Sequence, residues 1–171
     1  MIKIIGALFL VGGASIIGIY ASNELFVRSR VLGSFLASLG IMRAEIGGRL
    51  TPICELMEYL AKEVPPPLGF FFAACGKEKR EKADTPFYLI WKKNITHAEY
   101  LKLKPNEAEV ISELGGVLGR YGAEEQISAI AHLERRVSSL AERAENDRKR
   151  LGKLYAKLGL LCGVAVVIVF V

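Results

Sequence analysis

The side chains that could carry out catalysis or bind metal are few and widely spaced in this sequence. The histidines, His97 and His132, stand apart from any Cys or carboxylate set with the spacing of zinc ligands. Each is interpreted as a surface or partly buried helix residue. The cysteines are Cys54, Cys75 and Cys162, an odd number that is again without metal-ligand spacing. Each is interpreted as a small buried hydrophobic residue rather than a reactive thiol.

Two glycine-containing segments could bind phosphate groups, but neither has the required pattern. Gly76-Lys77 is followed by Glu78, whereas a P-loop needs a hydroxyl residue there to hold magnesium. The run from Gly115 to Gly119 does not follow a strand and has the wrong spacing for a dinucleotide site. We therefore expect no nucleotide cofactor.

Paired carboxylates are the remaining candidates for acid–base chemistry. Glu45, Glu55 and Glu58 lie close enough along the chain to be considered, but Glu55 and Glu58 fit the solvated face of an ordinary helix. The sequence thus predicts no catalytic residue, no metal, no cofactor and no small-molecule substrate. We predict that the protein is not an enzyme.

The first element that the sequence predicts is an apolar segment near the N-terminus. Residues 4–23 carry no charge, and as a helix they would span about 30 Å, the thickness of a hydrocarbon core. Small residues such as Ala14 and Gly18 recur at a spacing that lets a second helix approach closely. This segment is predicted to cross a membrane once.

A cleavable signal peptide is the alternative interpretation of the same segment. Lys3 supplies a thin positive start, and Ala21-Ser22-Asn23 lies near a possible cleavage site. The apolar run is longer than the core of a usual signal peptide, and the chain ends in a second apolar segment. On this alternative the protein is an exported helical envelope protein.

The second apolar segment covers residues 158–171 and is short. It would extend only about 21 Å as a helix, so spanning requires Lys157 and Lys153 to reach the headgroups or the bilayer to thin. A buried core helix at the end of the chain is the alternative. We expect a membrane helix here.

The basic residues indicate which side of the membrane the middle of the chain faces. The formal net charge is +5, and Arg28, Arg30 and the basic residues of 143–157 flank the two apolar segments on their inner sides. The positive-inside rule then places the middle in the cytoplasm. The same charges suit anionic lipid headgroups better than a nucleic acid duplex, so no nucleic acid partner is expected.

Between the apolar segments the pattern is helical throughout. A stripe of apolar residues from Leu25 to Ile46 predicts one long helix that ends at Gly47-Gly48. Helix starts are predicted at Pro52, with Thr51 as its cap, at Pro86 and at Pro105. Residues 68–75 form a short apolar piece and residues 76–84 a charged loop, and Phe87, Tyr88, Ile90 and Trp91 are predicted to pack inward from the next helix.

The last helix repeats apolar residues at steps of three and four from Ile130 to Leu158. Two long helices that return to one membrane favour an antiparallel pair capped by shorter helices. The predicted fold is all-α, a membrane-anchored helical bundle with transmembrane helices at both termini. The domains are a transmembrane helix at 1–23, a cytoplasmic helical domain at 24–154 and a transmembrane helix at 155–171.

Several short motifs follow the N-terminal apolar helix and are spread along the chain. They are Arg28-Ser-Arg30, residues 32–39, Arg43-Ala-Glu45-Ile46, Thr51-Pro52-Ile53-Cys54-Glu55, Leu114-Gly-Gly-Val-Leu-Gly119 and Glu125-Gln126. Together these motifs resemble the stage III sporulation protein AB family of spore-forming bacteria.

That family is similar to the cytoplasmic helical domain of type II secretion and type IV pilus platform proteins, which recruit a hexameric motor ATPase. The resemblance implies a scaffold subunit of a channel between mother cell and forespore, located in the mother-cell membrane around the forespore. The implied partners are a secretion-type ATPase and other membrane subunits of the complex. The expected partner-binding residues are Arg43, Glu45, Glu55, Arg120 and Gln126.

Overall fold

A computed structural model describes the backbone of residues 2–152, 154 and 155. Within that range it also describes the burial of Gly13 and of the residues from Ile16 onward. Within these residues it contains six α-helices and no strand, which confirms the predicted all-α class. A 3₁₀ turn at Glu99–Leu101 joins α4 to α5, and a π-helical turn at Arg148–Gly152 follows α6. The helices are α1 (Ile2–Arg49), α2 (Ile53–Glu63), α3 (Leu68–Glu81), α4 (Phe87–Thr96), α5 (Pro105–Val117) and α6 (Ala123–Asp147).

Helix α1 contains the candidate membrane segment. The part of α1 from Ile16 to Arg49 includes an 18-residue window with a mean hydropathy of 1.4, which makes it long and apolar enough to cross a membrane. This finding is compatible with the predicted N-terminal transmembrane helix. The predicted C-terminal apolar segment, residues 158–171, lies outside the described residues, and the predicted domain boundaries stay predictions.

The chain divides into two compact units. The terminal unit comprises Met1–Ser29 and Arg143–Val171, and the central unit comprises Arg30–Glu142. In the central unit α1 and α6 run antiparallel: Arg43 of α1 pairs with Glu134 of α6 at 2.7 Å, and a Cβ at Gly47, later on α1, would lie 3.0 Å from Ile127, earlier on α6. Most positions of the predicted apolar stripes that lie in this unit are buried. They comprise Val31, Leu32, Phe35, Leu39, Met42 and Ile46 on α1 and Ile130, Leu133, Val137 and Leu140 on α6.

The middle of the central unit is an aromatic cluster around Trp91. The indole of this α4 residue is fully buried, and its Nε1 donates a hydrogen bond to the carbonyl oxygen of Ile111 at 3.0 Å. Phe71 of α3 meets the indole edge-to-face with centroids 4.8 Å apart, and Phe35 of α1 lies at 6.5 Å. Offset and edge-on ring pairs of this kind add to the apolar burial. The cluster therefore joins four helices.

Gly115 of α5 is required by this cluster. A Cβ built at Gly115 would lie 2.6 Å from two indole atoms of Trp91, whereas one at the neighbouring Gly116 would meet nothing within 4 Å. We expect Gly115→Ala to destabilise the protein by roughly 1–3 kcal/mol, because the indole must shift. Gly116→Ala is the matched control, and its better helix propensity should stabilise by up to about 1 kcal/mol. Thermal unfolding checks both, and equal effects would contradict this account.

Helix α3 corrects one sequence prediction. The charged loop expected at residues 76–84 is helical as far as Glu81. Gly76 continues the helix because it packs against α2, where a Cβ would lie 3.1 Å from that of Met57. Pairs one turn apart, such as Lys82 with Glu78 at 2.8 Å, support the charged part of the helix and its end.

Two smaller predictions about α2 and α4 were wrong. Thr51 does not cap α2, because Pro52 occupies the N-cap position. The Thr51 hydroxyl instead donates a hydrogen bond to the Glu45 carboxylate at 2.8 Å. Tyr88 is exposed rather than packed inward. Phe87, Ile90 and Trp91 lie on the buried face of α4 at helical spacing, so that Tyr88 points away from it.

Glu78 of α3 has three hydrogen-bond donors, of which Lys93 and Asn94 link it to α4. Its carboxylate accepts hydrogen bonds from Lys82 and Lys93, both at 2.8 Å, and from Asn94 at 3.0 Å. These bonds, that from Lys82 first, lower the pKa of Glu78 from 4.5 to about 2. The folded state thus holds the charged form more strongly than the unfolded state does.

The depressed pKa of Glu78 makes stability depend on pH in a defined window. Its contribution is complete above pH 4.5 and is lost as the pH falls towards 2. We expect Glu78→Gln to lower the melting temperature at pH 7 and to reduce its fall between pH 5 and pH 2. Glu142→Gln, on an exposed part of α6, is the control and should leave the wild-type pH profile unchanged. An unaltered profile in Glu78→Gln would contradict the assignment.

The terminal unit is held by a polar cluster between α1 and the end of α6. The buried Arg28 pairs with Asp147 at 2.9 Å, and Ser29 donates a hydrogen bond to Glu145 at 2.7 Å. Arg148 also binds Glu145, at 2.7 Å from its Nε. Hydrogen bonds from Arg148 and then Ser29 lower the pKa of Glu145 to about 2. The two helices are thus joined by ion pairs and hydrogen bonds in this unit.

Candidate partner-binding site

The turn between α5 and α6 is shaped by Gly119 and Gln126. Gly119 has a φ of +73°, a conformation that glycine adopts without the steric cost of a side chain. Its backbone amide donates a hydrogen bond to the side-chain oxygen of Gln126 at 3.1 Å, and the side-chain amide nitrogen of Gln126 donates to the Tyr121 carbonyl oxygen at 2.7 Å. Gln126 therefore fixes the course of the turn.

An uncharged cavity of about 340 Å³ lies on one side of this turn. It opens beside the start of α2 and includes the exposed side chains of Leu50 and Tyr121. Leu50 has a φ of +53°, which costs a leucine roughly 1–2 kcal/mol relative to a right-handed conformation. The cavity is lined by Ile46, Leu50, Thr51, Pro52, Ile53, Leu56, Leu118, Gly119, Tyr121, Ala123 and Gln126.

A second cavity, of about 420 Å³, is also lined by residues of this turn and is called here the basic cavity. It is lined by Ile53, Lys79, Pro86, Phe87, Tyr88, Gly115, Gly116, Leu118, Gly119 and Arg120. Ile53, Leu118 and Gly119 also line the uncharged cavity, so the two cavities adjoin. Together they occupy adjoining parts of the central unit.

The charge of the basic cavity comes from Lys79 and Arg120, and no carboxylate lines it among the residues that the structure describes. Lys79 donates to the carbonyl oxygens of Ala83 and Thr85, the latter at 2.9 Å, which holds its ammonium in place. The Arg120 guanidinium lies 5.7 Å from the ring centre of Tyr121. Such a site attracts negatively charged groups.

The structure brings together two of the five predicted partner-binding residues. Arg120 lines the basic cavity and Gln126 lines the adjoining uncharged one. Glu45 is close to the uncharged cavity, because its carboxylate accepts a hydrogen bond from Thr51, which lines that cavity. Arg43 lies on another part of α1 and is paired with Glu134 of α6. Glu55 is exposed in the first turn of α2.

The sequence reasoning missed Lys79, Tyr88 and Leu50 at this surface. Lys79 had been placed in a loop and Tyr88 in the core, so neither was considered as a surface group. The helical spacing of Phe87 and Trp91 could have identified Tyr88 as outward-facing. The pattern contains no signal for Leu50, because its left-handed conformation is visible only in the structure.

The placement of acidic, histidine and cysteine side chains in the described part of the chain bears on metal binding and on nucleophilic chemistry. Within the described part of the chain, no group of three His, Cys, Asp or Glu side chains is placed to hold a metal ion. Burial, and then the nearby Glu78, raise the pKa of the Cys75 thiol to about 12, so it is protonated at neutral pH. A protonated, buried thiol is a packing group and a poor nucleophile.

Comparison with known proteins places the chain in a family. A family model described as stage III sporulation protein AB matches residues 3–171. The chain belongs to that family. It is therefore a sporulation protein, and the family carries the name of a developmental stage and not of a reaction. The predicted resemblance is confirmed.

Two relatives illustrate the family. Stage III sporulation protein AB of Bacillus subtilis (strain 168) is 27% identical over 173 residues, which cover 98% of each chain. A solved structure of a stage III sporulation protein AB superimposes with a TM-score of 0.65 at 22% identity. That match covers 72% of this chain and 98% of the solved one, and it shows a shared helical fold.

Proposed function

We propose that this sporulation protein is a membrane platform subunit that docks a secretion-type motor ATPase to a channel complex between mother cell and forespore. The observation that carries the proposal is the family match over residues 3–171. It is supported by the resemblance of that family to platform proteins of type II secretion and type IV pili. The helical central unit supplies a rigid surface on which a partner could dock.

The terminal unit supports attachment to a membrane. Ile16, Ile17 and Ile19 expose 63–72% of their surface, which is unfavourable for branched apolar side chains in water. Tyr20 and Tyr155 are also exposed, and Arg148 lies over the ring of Phe26 at 5.7 Å. Aromatic and basic residues beside an apolar stretch are typical of the membrane–water interface. On this proposal the headgroups surround Tyr20 and Tyr155.

An intact N-terminal segment is part of the proposal. Helix α1 is continuous through Ala21, Ser22 and Asn23, where the alternative of signal cleavage would divide the chain. Ser22 also contacts the last turn of the described chain, since a Cβ at Gly152 would lie 3.4 Å from its hydroxyl. N-terminal sequencing of the membrane fraction should therefore give Met1 or Ile2. A sequence that starts near Glu24 would favour the exported envelope protein instead.

The location and orientation of the protein are tested by protease protection. We propose that it resides in the mother-cell membrane around the forespore with its central unit in the cytoplasm, as the basic residues next to the apolar segments favour. Protease added to intact cells should leave the central unit uncut, whereas opened cells should lose it. Cleavage in intact cells would contradict this orientation.

The partner surface is proposed to include Arg43, Glu45, Glu55, Arg120 and Gln126. Arg120 and Glu55 are the best test positions, because both are exposed and neither has an ion-pair partner among the described residues. Arg120→Glu and Glu55→Lys are expected to abolish co-purification of the ATPase with the full-length chain in detergent. Charge reversal at such positions opposes docking directly through like-charge contacts.

Lys92→Glu is the control for these two variants, since Lys92 is an exposed cation of α4 that lines neither cavity. It should co-purify with the ATPase like the wild type. Far-UV circular dichroism and the emission of Trp91, the single tryptophan, should be unchanged in all three. Retained co-purification in both Arg120→Glu and Glu55→Lys would reject the proposed surface.

A further inference from the structure

The two adjoining cavities form a surface whose parts differ in chemistry. The uncharged cavity offers apolar contacts, and the basic cavity adds the cations Lys79 and Arg120. Both volumes, 340 and 420 Å³, are of the size that holds ligand groups, roughly 300–1,000 Å³. Because Ile53, Leu118 and Gly119 line both cavities, one elongated ligand can occupy the two cavities at once.

We propose that this surface binds an acidic, amphipathic segment of the partner protein. An apolar side chain of the segment occupies each cavity, and carboxylates next to them bind Arg120 and Lys79. This inference rests on the proposed docking function and deepens it, because it assigns the contact to one surface and states the chemistry of the partner.

Charge complementarity selects an acidic segment. Lys79 is held by two carbonyl oxygens, and an ammonium has three N–H groups, so one remains for a ligand. Arg120 has no carboxylate of the described chain within ion-pair distance, and its guanidinium can accept two carboxylate oxygens at once. The phenol of Tyr88, 45% exposed at the same cavity, adds a further donor.

Apolar contact selects an amphipathic segment rather than a simple anion. Leu50 is 71% exposed and Tyr121 is 51% exposed at the uncharged cavity. For Leu50 both the exposure of its apolar side chain to water and its left-handed backbone conformation are unfavourable. Residues with strained backbones of this kind cluster at binding sites. A segment that covered Leu50 and Tyr121 would remove their apolar surface from water.

Gly116 allows the surface to be blocked without a change of charge. It lines the basic cavity, and a Cβ there would meet nothing within 4 Å, so Gly116→Leu fills the cavity while leaving the core intact. Gly40→Leu is the matched control. Gly40 is also an open helical glycine of the central unit, and it lines neither cavity. Both variants gain helix propensity and keep the same net charge.

The test measures fluorescence anisotropy with two labelled peptides and the full-length protein in detergent. Both peptides carry two leucines and one phenylalanine, with glutamates in one and lysines in the other. The wild type should bind the glutamate peptide and not the lysine peptide. Gly116→Leu and Arg120→Glu should weaken binding at least about tenfold, which corresponds to about 1.4 kcal/mol, and Gly40→Leu should bind like the wild type.

Three results would overturn the inference. They are equal binding of both peptides, binding of neither, and binding to Gly116→Leu that is as tight as binding to Gly40→Leu. The last would show that filling the basic cavity has no effect of its own, as expected if an acidic peptide is attracted to a basic protein in general, because neither variant alters charge.

Co-purification separates this inference from the proposed function. If the ATPase co-purifies with Gly116→Leu as it does with the wild type, the docking function stands and the assignment of this surface fails. If the wild type binds the glutamate peptide and Gly116→Leu does not, but no ATPase co-purifies with the wild type, the surface stands and the proposed partner is wrong.

Discussion

Trp91→Ala is expected to destabilise the central unit by about 3–5 kcal/mol, the range for removing a large aromatic side chain from a packed core. The indole is fully buried and touches aromatic rings from three helices, with Phe71 at 4.8 Å, Phe87 at 5.7 Å and Phe35 at 6.5 Å between ring centres. Alanine would leave a cavity among them. Since a small domain is stable by only about 5–15 kcal/mol, this one change removes much of the margin.

The measurement is thermal unfolding followed by far-UV circular dichroism, because the variant lacks the tryptophan that would report fluorescence. The melting temperature should fall by roughly 10 °C or more. Leu89→Ala, two residues earlier in the same helix at a position 45% exposed, is the matched control and should change stability by about 0.5 kcal/mol or less. A fall of similar size in both variants would show that Trp91 does not hold the core.

Helix starts were predictable because their causes are local. Pro52, Pro86 and Pro105 each stand at or immediately before the first residue of a helix, as the fixed φ of proline favours. The stripe on α1 was also predictable, since burial at helical spacing leaves a repeating pattern. The end of α1 was placed within two residues by Gly47-Gly48.

The extent of α3 was not predictable from local pattern. A glycine followed by charges at residues 76–82 has the composition of a loop, and the sequence alone does not contain the contact that makes it a helix. That contact is the close approach of Gly76 to Met57, and it depends on how α2 and α3 pack. Tertiary packing of this kind overrides intrinsic propensity.

The candidate site could be predicted only in part, because it is assembled from separate helices. Arg120 and Gln126 were identified as partner-binding candidates, and both prove to line cavities. The cavities themselves arise where the start of α2, the start of α4 and the α5–α6 turn meet. Residues such as Lys79 and Tyr88 therefore join the site through the fold and not through their spacing in sequence.

Asp147→Ala is expected to loosen the terminal unit by roughly 2–4 kcal/mol, somewhat below the cost of breaking a fully buried ion pair because Asp147 is itself partly exposed. Arg28, its partner at 2.9 Å, is only 5% exposed. Removing the carboxylate leaves a guanidinium shielded from water without that counter-charge. The change should speed amide hydrogen exchange in residues 24–29 and 143–147, measured by mass spectrometry on the full-length protein in detergent.

Two further variants isolate the charge effect. Arg28→Met with Asp147→Leu removes both charges and keeps apolar bulk, so it should recover most of the lost protection, since buried pairs are often replaceable by packed hydrophobic residues. Glu81→Ala breaks the exposed pair between Lys77 and Glu81, at 3.9 Å, and should cost under about 0.5 kcal/mol. If Asp147→Ala exchanged no faster than the wild type, Arg28 would not depend on Asp147, and the polar cluster would not be what joins α1 to the end of α6.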